Sequence, residues 1–170
     1  MALNTDVVDG GNITVGTWNG SSFDAVANAT SSGISHTTEM REIKHKALCG
    51  NKKFKPTGHT WTANTDGLNS YSGLGFTELL AVKKAGTEVL LTFMPTDCTD
   101  NDADFGTGGS AKEDFVVQYG LAYITQLDAN YPDDESSTYT ASFQGSGELY
   151  SGVWSDVQNY DGSTLPVVAA

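Results

Sequence analysis

The chain has 170 residues, 38% of them apolar, with 19 glycines and 4 prolines; this fits one domain whose core needs no staples, and an all-β fold with many turns rather than a bundle or a low-complexity chain. Its net charge of −12 is unevenly placed: up to residue 85 seven acids meet eight bases, whereas the other fourteen acids meet Lys112 alone, giving +1 and −13. So acidic a mean field repels phosphates and argues against a protein that grips nucleic acid, although one that surrounds DNA without holding it remains open.

In chain order, residues 1–10 read as a polar N-terminal arm. They lack the basic start and apolar core of a secretory signal, so the chain is expected to stay in the compartment where it is made, with Cys49 and Cys98 reduced. Asn12 to Trp18 alternates as a first strand, Asn19-Gly20 is a strong hairpin signal, and Phe23 to Thr30 is the partner.

The stretch from Ser31 to Leu68 organises the rest. Gly33 to Lys46 alternates with period two, as does the Thr-rich limb Gly58 to Asp66 around Trp61, so both read as strands. Asp66-Gly67 reads as a turn where the chain reverses. Between the limbs lie Arg41, Lys44, Lys46, Lys52, Lys53 and Lys55, interrupted by Gly50-Asn51 and Pro56. Those breakers predict a long protruding basic loop, Arg41 to Pro56, rather than a continued sheet.

Beyond it, Phe76 to Ala85 has apolar residues at helical spacing. Thr77 is placed to cap its start, Lys83 and Lys84 suit its dipole, and Gly86 stops it. Thr87 to Met94 reads as a strand buried on both faces; its apolar run is far shorter than the ~20 residues of a spanning helix, so no membrane is expected. Pro95 to Lys112 is an acidic Gly-rich loop. Asp114 to Asp128 puts Val117, Tyr119, Leu121, Tyr123 and Leu127 on one register, as a long strand or a bent pair. Ser137 to Tyr150 is a last strand kinked at Gly145-Ser146-Gly147, and residues 151–170 form a C-terminal extension to a domain spanning 11–150.

This order of elements, with W-T-A-N-T-D-G-L (Trp61 to Leu68) followed closely by F-T-E-L-L (Phe76 to Leu80), resembles the major tail tube proteins of long-tailed bacteriophages over roughly residues 10–150. The resemblance implies an all-β fold, a β-sandwich or partly closed barrel flanked by one short helix. It also implies a structural, non-enzymatic subunit of the virion tail. Copies would form homohexameric rings stacked into a hollow tube, joined by other tail proteins and passing DNA without binding it specifically. Adjoining sheets would line the lumen, and the loop Arg41 to Pro56 would reach the next ring. The residues add a physical motive, because a basic loop can meet an acidic surface on a neighbour; the plain alternative is a solvated charge run.

Other chemistry is weighed against simpler readings. Asp100, Asp102 and Asp104 alternate as in a Ca²⁺ loop, but Gly106 comes one place late for an EF-hand and Ala111 stands at the closing position, so a solvated acidic loop is preferred and no cofactor is expected. His36, His45, His59 and Cys49 lack paired zinc-ligand spacing. No G-x-S-x-G elbow or phosphate-binding loop occurs. Trp61 is assigned to the core, as sandwich tryptophans usually are. The alternative function is a carbohydrate-binding or adhesion module using exposed Trp18, Tyr71 or Trp154.

Overall fold

The computed structural model describes residues 13–18, 23–26, 29–43, 51–69, 74–95, 117–133 and 135–160. The elements are β1 (Ile13–Trp18), β2 (Phe23–Ala25), β3 (Ala29–Ile43), β4 (Lys53–Leu68), α1 (Phe76–Ala85), β5 (Val89–Pro95), β6 (Val117–Asn130), β7 (Thr138–Gly145), β8 (Tyr150–Gly152) and α2 (Trp154–Gln158). The strands form one antiparallel sheet in the order β2-β1-β5-β6-β7-β4-β3, with β8 on β6 off that path. The mainly β class with a flanking helix is therefore correct. A single sheet replaces two separate ones, and among the described residues it is open, ending at β2 and β3. It curls enough to bring β1 near β3.

One face of the sheet encloses the larger core. Val15, Trp61, Ala63, Leu91, Phe93, Ala122, Ile124, Tyr139, Ala141 and Phe143 meet there, with Leu79 of α1 closing it. A second cluster, on the other face of β5 and β6, joins Leu90, Met94, Val117 and Tyr119 to Val157 of α2. β5 thus feeds both cores, as its continuous apolar run predicts.

A bulge decides which side chains of β6 reach which core. The register with β7 shifts between Ile124 and Gln126, leaving Thr125 as the extra residue. Before it, Val117 and Tyr119 face the second core; after it, Leu127 packs on the first. The single register read from Val117 to Leu127 is corrected accordingly, because one inserted residue moves every later side chain to the opposite face.

Trp61 lies where core assignment put it, 2% exposed. Its indole rests on the backbone of Gly145, where any Cβ would overlap it, and a Cβ at Gly120 would stand 2.7 Å from Cζ2. The indole N–H donates to the Gly147 carbonyl at 3.2 Å.

Several local readings are corrected. Asp66 and Gly67 are no turn: both continue β4, paired to β3 and to β7. Gly67 is small because the Tyr139 ring lies over it, 2.8 Å from where a Cβ would be. The cap of α1 is Gly75, whose N–H donates to the Glu78 carboxylate at 3.3 Å, not Thr77; Gly86 ends the helix in the left-handed region at φ 63. The Ser137 to Tyr150 strand divides into β7 and β8 around Gly147, φ 88. Past residue 150, α2 adds a second helix. Its Asp156 carboxylate accepts from the Val153 N–H at 2.9 Å, and Val157 is fully buried.

No helix among the described residues is long and apolar enough to cross a membrane.

Candidate functional site

Among the described residues the longest exposed stretch is the far half of the β3–β4 hairpin. β4 pairs with β7 only from Thr62 to Leu68, whereas its pairing with β3 continues out to Lys53 opposite Ile43. From Ser35 to Glu42 on one strand and Lys53 to Thr57 on the other, every residue is exposed. Residues 44–50 lie outside the described residues, and both ends of the expected loop, Arg41 to Ile43 and Lys53 to Pro56, are thus strands of a two-stranded arm. Gly58 and Pro56 do not end it because the register shifts between Glu39 and Met40, so that Glu39 faces Gly58 and Met40 faces Pro56. Thr57 is left over as a bulge, and its hydroxyl donates to the Glu39 carbonyl at 3.2 Å. Proline is tolerated beside a bulge on a strand with an open edge.

The arm has two unlike faces. Cross-strand neighbours share a face, so Met40 with Pro56 and Glu42 with Phe54 lie on the side that continues the core face of Trp61. Met40 is 54% and Phe54 51% exposed. The opposite side carries Arg41 directly across from Lys55, and Lys53 across from Ile43. Lys52 precedes the strand and is exposed; Lys44 and Lys46 lie outside the described residues. Facing cations weaken an isolated hairpin, and two strands alone are marginal in water. At the arm's root the His36 and His59 rings stack at 5.5 Å, and a groove of about 680 Å³ separates them from Gly145, Gly147 and Glu148.

The body of the sheet presents a second surface. Away from the core, β3, β4, β7 and β6 expose Ser35, Thr62, Asn64, Thr140, Gln144 and Gln126, side chains of hydroxyls and amides. Asp66 joins three of these strands, since Ser31 Oγ donates to its Oδ2 at 2.7 Å and Thr140 Oγ1 to its Oδ1 at 2.6 Å. The bond from Thr140, then that from Ser31, holds its carboxyl below the usual value of 3.8. The Gln126 amide likewise donates to Asp128 at 2.5 Å.

Of the zinc candidates only His36 and His59 are described, and they stack on each other. Among the described residues no group of three or more His, Cys, Asp or Glu could hold a metal; His45, Cys49, Asp100, Asp102 and Asp104 lie outside them, as does Tyr71. Trp18 packs partly buried against the second core rather than standing free as a platform, and nothing is described of the Trp154 side chain. Sequence reasoning missed the exposed apolar pair Met40 and Phe54, although their alternation with Arg41, Lys53 and Lys55 was a legible signal once both strands were extended.

No family model matches the chain, and no curated protein matches it in sequence. Solved structures do match. A chain of the virion of a native gene transfer agent particle aligns over 86% of this chain and 100% of its own with TM-score 0.64 at 12% identity. The SPP1 tail tube aligns over 86% and 80% with TM-score 0.60 at 12% identity. The sheath–tube complex of an extracellular contractile injection system (PVC) aligns over 88% and 94% with TM-score 0.62 at 9% identity. The chain therefore has the fold found in tail-tube and injection-tube assemblies, as the resemblance of the Trp61 to Leu80 segment implied.

Proposed function

We propose that this chain is a tail tube subunit: copies form hexameric rings, and the rings stack into a hollow conduit for viral DNA within a virion tail that includes other tail proteins. The observation that carries the reading is the likeness in fold to the SPP1 tail tube across most of the chain, on a molecule whose arm is exposed on both faces. Two further features support it. Among the described residues the long strand β3 and the short β2 end the sheet, edges that suit pairing with neighbouring copies. The polar body face, carrying Thr62, Asn64, Asp66, Thr140 and Asp128, is the surface we assign to the lumen; hydroxyls, amides and carboxylates give passing phosphates no cation to hold.

The arm, with Arg41, Lys52, Lys53 and Lys55, is the stacking element, and Lys44 and Lys46 belong to the same segment. No catalytic step or cofactor enters this function. Negative-stain electron microscopy at high concentration, beside size-exclusion chromatography at low concentration, tests it: hollow tubes or stacked rings are expected. A chain that stays monomeric at every concentration and binds glycans would replace this reading with the carbohydrate-binding one.

A further inference from the structure

The two ends of the molecule along β4 differ in charge and match in apolar exposure. At one end the arm carries Arg41, Lys52, Lys53 and Lys55 with Met40 and Phe54. At the other, β4 ends at Leu68 opposite Thr138, where the β6–β7 connection turns. There Asp128, Asp133 and Glu135 are exposed, together with Tyr131 at 67% and Leu68 at 37%. Among the described residues every cation lies on the arm or, as Lys83 and Lys84, in the last turn of α1. The 16 residues of β4 set the two ends about 50 Å apart at the usual rise of a strand.

We propose that the described outer arm of one copy, Met40 to Ile43 with Lys52 to Lys55, docks on the β6–β7 turn of a copy in the next ring. Arg41, Lys53 and Lys55 face Asp133 and Glu135, while Met40 and Phe54 cover Tyr131 and Leu68. The occupant is a second copy of this chain because the arm, with Arg41, Lys52, Lys53 and Lys55 against Glu39 and Glu42, is net positive where the turn has carboxylates and no described cation, and both ends expose apolar surface. A contact between two different patches is heterologous, so it repeats without closing and gives every subunit the same direction along the tube. A two-stranded arm entering end-on offers both its faces to the receiving surface. This proposal rests on the tail tube reading and names the partner of its stacking arm.

The test exchanges charges in the full chain. Lys53→Glu with Lys55→Glu is one variant, Asp133→Lys with Glu135→Lys the second, and all four changes together the third. All four positions are exposed, and thermal melts check that each variant folds. Each reversed pair alone is expected to raise the critical concentration for tube formation by about tenfold or more, and the four-fold variant to bring it back toward that of the unaltered chain. If the arm variant fails to assemble while the turn variant forms normal tubes, the arm docks elsewhere and only this proposal falls. A four-fold variant no better than either pair also overturns it. If the arm variant itself assembles normally, the stacking role of the arm falls with it.

Discussion

Trp61 shows how a single side chain holds the two parts of the hairpin in different environments. Its indole occupies the space above Gly145 and beside Gly120, and beyond its position β4 leaves the body and becomes arm. Removing the ring would leave a cavity lined by β6 and β7, so Trp61→Ala is expected to cost about 3–5 kcal/mol in chemical denaturation. Gly145→Ala should destabilise through the opposite fault, since a methyl group there overlaps the indole, and the double variant should then lose less than the sum of the two. Equal additive losses would show that the residues do not share this contact. That Trp61 is core was legible from its residue type and the alternation around it, but the glycines were not: a missing side chain carries no sign of which ring lies over it, which is also why Asp66-Gly67 reads as a turn in sequence. A second residue-scale prediction concerns pH. Burial pushes the Tyr139 hydroxyl up to about 12, and burial, then the charge of Asp156, does the same to Tyr119. A raised tyrosine pKa favours the neutral form in the folded chain, so this stability is fully present below the ordinary value near 10 and is lost as pH rises from there toward 12. Melting temperature should fall over that interval, and Tyr139→Phe should fall less steeply. A slope unchanged by the substitution would remove Tyr139 from the account.

The arm is the element for which sequence and structure differ most usefully. Gly50-Asn51 and Pro56 were sound reasons to expect a loop, because they disfavour a regular ladder; what sequence could not display was that a bulge at Thr57 lets β4 run on through Pro56. Strands buried on one or both faces, β1, β5 and β7, were legible because their apolar residues record the core. The outer parts of β3 and β4, beyond Ile34 and Trp61, record none, so how far they pair with each other had to come from the structure. Since the arm adds no residue to either core, it is expected to be dispensable for folding. Replacing residues 40–57 with Asn-Gly would join Glu39 to Gly58, which already face each other, through a turn suited to a two-residue hairpin. The shortened chain should melt within a few degrees of the full one yet form no tubes. A large loss of melting temperature would mean that the arm supports the body, contrary to its exposure.

At the scale of the whole molecule two electrostatic effects oppose each other, and ionic strength separates them. Every copy carries −12, so copies repel one another through their mean field, whereas in the proposed stacking contact the cations of the arm attract a neighbour only at short range. At ~0.01 M salt the screening length is about 30 Å, comparable to a domain, and the mean repulsion acts in full; at ~0.15 M it is about 8 Å, which removes most of that repulsion but leaves charges in direct contact paired. By ~1 M, with a length of about 3 Å, those pairs weaken as well, and only the apolar contact of Met40 and Phe54 persists. Assembly followed by light scattering in sodium chloride is therefore expected to rise from ~0.01 M to a maximum near ~0.15 M and to decline toward ~1 M. The arm variant with Lys53→Glu and Lys55→Glu keeps only Arg41 of the three cations in that contact and is net repelled there, so its assembly should increase steadily as screening relieves repulsion at both ranges. If the unaltered chain also assembled ever better up to 1 M, charge would be only an obstacle to association, and stacking would have to be assigned to apolar contact and to pairing of the open sheet edges.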